Sequence, residues 1–313
     1  MCSRYDLPLA SASMTVVRTL GTKIIRGPQL LLSTAVRVAN GEIAPRDLRN
    51  WVLWQIARRR TPPVLRRAED HADGTVLLDA AGFRFWWPAE FPHDNLNVVW
   101  AEVFVPFPPN GHAYEHGPCR LAPRKWIIDA GACEGFFVSY ALNRGARVLA
   151  IEPVGRLAYC LRKTFEAEVR VGTLIVLHAL VGATAGSAFI RVAGSPVGAR
   201  ASGSEGEPVA GTTIDALLDA AVIPDVAFIK MDIEGAEVSA LSGARSTLRR
   251  HCPALSIAVY HNAGDERQVK DMIASSGAEY DMRAKGLIRN RGRLVHQLLH
   301  AWPKEKLSAP RLD

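Results

Sequence analysis

From Lys125 to Tyr260, short apolar runs alternate with segments of helical period, and this alternation constrains the fold more than any other feature. The pattern predicts strands over 126–128, 148–151, 174–177, 226–229 and 255–260. Helices are expected over 136–143, 156–165, 213–221, 236–250 and 265–276. Alternating β and α units build a mostly parallel sheet with right-handed crossovers. Two further strands, 279–283 and 294–301, follow with a turn near 290–292 and no helix between them, so they close the sheet antiparallel. The expectation is an α/β fold: a doubly wound, mostly parallel seven-stranded sheet with a helical N-terminal extension. Residues 187–192 read as an extra extended segment, and 194–207, rich in Gly and Ser, as a loop.

The chain divides into a basic helical extension (1–70), short strands and loops (71–120), the α/β domain (121–302) and a tail (303–313). In the extension, Arg46, Arg49, Arg58, Arg59, Arg60, Arg66 and Arg67 surround Trp51, Leu53, Trp54 and Ile56, and Pro45 followed by Asp47 marks a helix start. Such a segment could bind RNA or an anionic surface. The preferred reading is an amphipathic helix that docks its Trp face on the body. Residues 83–88 carry four aromatics and suggest a hairpin turning at Ala81-Gly82.

The composition, 48% hydrophobic and 22% charged, is ordinary for a globular protein and excludes fibrous and disordered classes. Five scattered cysteines, none in a CxxC pair, argue against a disulfide framework or a zinc site and fit a reducing cytoplasm. No uncharged apolar run reaches membrane-spanning length. The net charge of +7 is compatible with nucleic acid, an anionic membrane surface or an acidic cofactor, but an Arg-rich composition accounts for it without a partner.

In open α/β sheets, ligands bind beyond the carboxyl ends of the strands. The first strand here runs into Asp129-Ala130-Gly131-Ala132-Cys133-Glu134-Gly135, and the second into Ile151-Glu152-Pro153. Gly131 and Gly135 permit a tight turn against a ligand. Glu152 follows at the spacing of a ribose-binding acid in a nucleoside-binding βαβ unit. A dinucleotide fingerprint would read GxGxxG and seat a pyrophosphate on the helix start. Here the central glycine is Cys133, and Glu134 would repel a phosphate. A cationic sulfonium with an amino-acid tail tolerates that acid, so S-adenosylmethionine is favoured over NAD. The expected cofactor residues are Asp129, Gly131, Ala132, Cys133, Glu134, Gly135, Glu152 and Pro153.

The fourth strand ends in Ile229-Lys230-Met231-Asp232-Ile233-Glu234-Gly235-Ala236-Glu237, which puts Lys230, Asp232 and Glu234 on one side of an extended segment. Glu237 suits the first turn of the next helix. A divalent metal on these carboxylates is disfavoured because no His or further Asp is close in sequence, so none is expected.

These segments, with Thr212-Thr213-Ile214-Asp215, residues 241–244 and Pro253, resemble the FkbM family of methyltransferases over about residues 98–262. The resemblance implies a class I methyltransferase that methylates hydroxyls of sugars, polyketides or other natural products. One departure stands out: the family's fifth strand often ends with an acid before a His, whereas this chain has Ala258-Val259-Tyr260-His261.

For O-methylation, His261 is the first candidate for the base, since an unperturbed imidazole titrates near neutrality. A plain backbone hydrogen bond would explain it equally well. Asp232 could orient the acceptor or bind the amino group of the methionine tail. Lys230 could pair with Asp232 or Glu234, or stabilise a forming alkoxide. The partner expected is a small-molecule hydroxyl acceptor, held by residues 101–119 and 194–207. A nucleic-acid methyltransferase is the nearest rival; an NAD-dependent oxidoreductase and a non-catalytic nucleoside-binding module follow.

Overall fold

The structure, a computed structural model, describes residues 28–60, 65–106, 110–192, 199–202 and 205–304. The first part of the helical extension, half of the 194–207 loop and nearly all of the tail lie outside the described residues.

Helix α1 (Pro28–Ala39) leads to α2 (Pro45–Arg60), which starts at the expected proline, where a missing N–H costs nothing. Trp51, Val52, Trp54 and Ile56 of α2 are buried. Trp51, Val52 and Ile56 pack with Ile43, Leu287 and Leu294 in a small satellite core. The tryptophans are therefore spent on docking the helix.

Three strands follow: β1 (Leu65–Asp70), β2 (Thr75–Ala80) and β3 (Phe83–Pro88), paired antiparallel in the order β1-β2-β3. Leu65–Asp70, assigned above to the helical extension, is thus an edge strand, and its exposed run of charged side chains suits an edge. The β2–β3 hairpin turns at Ala81-Gly82, both at positive φ, with Asp79 Oδ1 accepting the Gly82 N–H at 2.9 Å. Helix α3 (Leu96–Phe104) then leads to the loop before the main sheet.

The main domain runs β4 (Trp126–Ala130), α4 (Phe136–Leu142), β5 (Arg147–Glu152), α5 (Gly155–Thr164), α6 (Glu166–Arg170) and β6 (Leu174–His178). A smaller unit of β7 (Leu180–Val181), β8 (Gly186–Arg191), β9 (Arg200–Ser202) and β10 (Glu207–Thr212) follows. The chain then returns through α7 (Ile214–Asp219), β11 (Phe228–Met231), α8 (Glu237–Ser242), α9 (Arg245–His251), β12 (Ala254–Ala258) and α10 (Asp265–Ala274). It ends in the hairpin β13 (Tyr280–Asn290) and β14 (Arg293–Pro303).

The seven-stranded sheet has the order β13-β14-β12-β11-β4-β5-β6. β6, β5, β4, β11 and β12 are mutually parallel; β14 is antiparallel to β12, and β13 is antiparallel to β14. Alternate strand residues feed two cores. Ile127, Val148, Ala150 and Phe228 face α4 and α5; Ile128, Leu149, Ile229 and Met231 face α7, α8, α9 and α10. The chain leaves β4 toward β5 and returns on its other side at β11, so the carboxyl ends of β4 and β11 flank the switch point where ligands bind.

Two local expectations change. The helix expected over 236–250 breaks into α8 and α9 at Gly243-Ala244. A Cβ on Gly243 would lie 2.2 Å from Gly182 O, and the Gly243 carbonyl accepts the Asp215 N–H. Asp215 then caps α9, accepting from Ser246 N at 3.0 Å and Thr247 N at 2.7 Å. The segment near 187–192 belongs to the four-stranded sheet β7-β10-β8-β9, and Arg200–Ser202, expected in a loop, is one of its strands.

Candidate active site

One cavity lies at the switch point. Its first wall comes from the ends of β4 and β5: Gly131, Ala132, Cys133, Glu134, Ile151, Glu152 and Pro153. Gly131 sits at φ +78, and a Cβ there would lie 2.2 Å from Asp232 O, so only glycine lets the two loops approach this closely. The buried Glu152 carboxylate accepts the Cys133 N–H and the Val154 N–H, each at 2.9 Å. These bonds aim it at the cavity floor. Burial raises its pKa to about 7, and that of Glu134 to about 6. Ala179, Leu180, Val181 and Ile190 add an apolar side.

Two of the expected cofactor residues lie outside this lining. Asp129 is fully buried and pairs with Lys230 at 2.9 Å. Gly135, at φ +86, packs closely on Phe165, where a Cβ would meet Cε2 at 2.7 Å. Both build the loop that the other six line.

Lys230 and Asp129 face each other in the parallel register of β4 and β11. The Lys230 ammonium also donates to Gly131 O at 2.7 Å. Burial works against its charge, but Asp129 and Asp232 outweigh that and hold its pKa above the ordinary lysine value. Lys230 is therefore not paired with Asp232 or Glu234, as the spacing suggested; it ties the two loops together. The alternation that would have put all three on one side stops at Met231, because Glu234 (φ +57) and Gly235 (φ +101) turn the chain.

Beyond that turn lies the second half of the site. Asp232 and Glu234 line the cavity together with Tyr114 and Tyr260. Tyr114 donates its hydroxyl to Asp232 Oδ2 at 2.8 Å, and His112 Nε2 is 3.6 Å from the same oxygen. His261 lies behind the wall, its Nε2 3.4 Å from Asp232 Oδ1 and 3.6 Å from Glu234 Oε2. On its other side, His261 Nδ1 is 2.9 Å from Glu237 Oε1, which also accepts the Ile233 N–H. Glu237 thus serves the start of α8, as expected, and orients the imidazole as well.

Burial alone would lower the His261 pKa. The bond to Glu237 and the charges of Asp232 and Glu234 outweigh it and raise the pKa to about 9. Burial drives His112 down to about 4, so that ring is neutral at pH 7. Burial would raise the Asp232 pKa, but His112, His261 and Lys230 beside it and the Tyr114 hydroxyl keep it below the ordinary carboxylate value.

Tyr114 and His112 were not among the expected site residues, although their loop was. Asn110 anchors that loop, donating from Nδ2 to Glu102 O at 2.8 Å and accepting the His112 N–H at 2.9 Å. Gly111 passes so close to Gly286 that a Cβ would lie 2.6 Å from its Cα. The asparagine–glycine pair was the available signal. Glu102 and Val103 from α3, Ala199 just before β9 and Ala201 within it also line the cavity.

An open α/β sheet with this cavity at its switch point has the Rossmann-like architecture of class I methyltransferases. The Methyltransferase FkbM domain matches residues 129–292, more than half of the chain, and the chain belongs to this family of methyltransferases. Among solved structures it is similar to methyltransferase FkbM from Methylobacillus flagellatus (21% identity, 65% of this chain, 48% of that one, TM-score 0.46). Precorrin-6y C5,15-methyltransferase from Geobacter metallireducens is 12% identical (59% of this chain, 82% of that one, TM-score 0.36). Trm5b from Pyrococcus abyssi is 11% identical (75% of this chain, 57% of that one, TM-score 0.43). The chain spans about half the length of the Methylobacillus protein it matches. No curated protein matches it. Among the described residues, no helix is long and apolar enough to cross a membrane.

Proposed function

We propose that the protein transfers the methyl group of S-adenosylmethionine to a hydroxyl of a small molecule such as a sugar or other natural product. The observation that carries this reading is that one cavity joins Glu152 at one end to Asp232 and Glu234 at the other. When bound, S-adenosylmethionine supplies a methyl carbon activated by positive sulfur. The lining suits such a ligand. The buried Glu152 carboxylate retains lone pairs for two ribose hydroxyls, the apolar side accepts a purine face, and Glu134 tolerates a cation where it would repel a pyrophosphate. The one lysine in the lining, Lys230, is engaged by Asp129 and backbone carbonyls.

A hydroxyl acceptor loses its proton as the new O–C bond forms. A well-placed base contributes about 10²–10⁴-fold to that step. Asp232 lines the cavity and is the group that would touch the hydroxyl, aligning it and drawing its proton. His261 stands behind Asp232 and acts through it, as a positioning residue. This revises the expectation that His261 itself is the base: the ring is not part of the lining and already holds a proton at neutral pH. Tyr114 fixes the other carboxylate oxygen.

The test is a radiolabelled methyl-transfer screen over hydroxylated sugars and natural products, run with the parent protein and Asp232→Asn. The expected result is labelled methyl ether with the parent and at least a hundredfold loss in the variant, both binding S-adenosylhomocysteine alike. Label appearing on amino nitrogen or RNA would refute the hydroxyl reading.

A further inference from the structure

A second concavity lies beside the active-site cavity. It is a groove of about 900 Å³ between the α1–α2 loop, the β13–β14 hairpin and the start of α10. That volume is typical of a small-molecule site. Tyr260 lines both the groove and the active-site cavity, so the two adjoin just beyond the carboxyl end of β12. Seven Lys and Arg side chains line the groove against four Asp and Glu. Three of the acids are already engaged: Glu42 pairs with Arg37 at 2.7 Å, Glu266 holds Lys270 at 2.6 Å and His296 Nδ1 at 2.8 Å, and Asp265 accepts the Asn262 N–H. The fourth, Asp47, is buried. Among the described residues, Arg46, Arg267, Arg283, Arg291 and Arg293 have neither an ion pair nor a side-chain hydrogen bond. They come from α2, α10, β13, the two-residue turn after β13, and β14, yet face one groove. Burial and the charges of Lys285, Arg283 and Arg46 lower the His116 pKa to about 4, the mark of positive charge gathered without a counter-charge. Clustered like charges repel, and a bound anion relieves that cost.

Resting on the hydroxyl-methylation reading of the cavity, we infer that the groove holds a phosphate or diphosphate group of the acceptor, whose hydroxyl reaches Asp232 past Tyr260. Arginine suits such a ligand, because its planar fork bonds two phosphate oxygens at once and keeps its charge at any working pH. A lone carboxylate offers two oxygens and one charge, too little for five guanidiniums. A phosphate carries about −1.5 to −2 at pH 7, closer to the excess of positive charge in the lining. A nucleic-acid strand is disfavoured. Strand-binding surfaces join basic side chains to exposed aromatics that stack on bases, whereas Trp51 and Trp54 of α2 are buried. The two sites sort by charge: acids line the active-site cavity, where a cationic sulfonium belongs, and arginines line the groove, where an anionic acceptor belongs. Held there, the phosphate is remote from the reacting atoms, and its binding energy goes into aligning the hydroxyl with Asp232.

The test has two arms, both on the full chain at about 150 mM NaCl. The first is calorimetric titration with inorganic pyrophosphate, with S-adenosylhomocysteine titrated in parallel. One saturable pyrophosphate site per chain is expected. Arg46→Gln with Arg293→Gln, and Arg267→Gln with Arg291→Gln, should each weaken it about tenfold or more and leave S-adenosylhomocysteine affinity unchanged. Arg84→Gln, at an exposed arginine on β3, should change neither. The second arm is the methyl-transfer assay on hexose phosphates and nucleoside-diphosphate hexoses, each beside the same hexose without phosphate. Label is expected on a phosphorylated member, with its KM raised about tenfold or more by the arginine pairs and kcat within about twofold of parental. No saturable pyrophosphate binding up to about 10 mM, or equal label on acceptors with and without phosphate, overturns the anionic acceptor and leaves the methyltransferase reading intact. Single-stranded RNA bound more tightly than pyrophosphate, and released by the same substitutions, overturns it in favour of nucleic acid. S-adenosylhomocysteine binding with no label on any hydroxyl removes the hydroxyl reading, and the acceptor class falls with it.

Discussion

The two ends of the cavity are built on different plans. The Glu152 end is local: one βαβ unit supplies the glycine loop, the acid and the two backbone N–H groups that aim it. The Asp232 end is assembled from three separate stretches: the 110–114 loop, the turn after β11 and the residues after β12. A local device depends on chain geometry within a few residues. An assembled one depends on the packing of the whole domain. The difference teaches where a substitution should act on ligand affinity alone and where it should also cost stability.

The largest effect is expected where the two ends meet. Lys230→Met leaves Asp129 buried without its partner, and loss of one member of a buried ion pair costs about 3–5 kcal/mol. Urea unfolding reads this directly; a loss under about 1 kcal/mol would mean that Lys230 does not tie the loops. Next comes Glu152→Ala, which removes charge-assisted bonds of about 1.5–3 kcal/mol each and should weaken S-adenosylhomocysteine at least tenfold. Asp232→Asn should leave that affinity near parental. Equal losses in both variants would erase the distinction between the ends.

Glu152 also sets a pH dependence. Burial raises its pKa to about 7, so below that pH the free protein holds a proton that a ribose-binding carboxylate must lose. Affinity should therefore rise with pH, being about tenfold weaker at pH 6 than at pH 8, and Glu152→Gln should flatten the profile. Stability runs the opposite way: what Glu152 contributes by staying protonated is present below pH about 4 and is lost as pH rises through about 7. The smallest effect is expected of Tyr114→Phe, which removes one hydrogen bond to a partly exposed carboxylate and should lower stability by about 1 kcal/mol. A cost matching that of Lys230→Met would show that Tyr114 carries the loop rather than trimming it.

What was legible in the sequence follows the same division. The carboxyl ends of β4 and β5 could be read to within two residues because apolar runs, glycines and an acid fall at a spacing imposed by one crossover. The Ala81-Gly82 turn could be read because both residues of such a turn need positive φ. The break at Gly243 was hidden, since it depends on the approach of Gly182, far away in the chain. The burial of Asp129 was hidden because strand register, not local pattern, sets it opposite Lys230. His112 and Tyr114 carry no motif; a loop fixed by Asn110 and by the Gly111–Gly286 contact brings them to Asp232. Glu237 was legible as a helix-start acid but not as the partner of His261.

The most direct measurement is calorimetric titration of the purified protein with S-adenosylhomocysteine, with NAD as the comparison ligand. Micromolar binding of S-adenosylhomocysteine, at least tenfold weaker in Glu152→Ala, and no binding of NAD is the expected result. Binding of NAD, with none of the sulfur ligand, would contradict it and reassign Glu152 to the ribose of a dinucleotide.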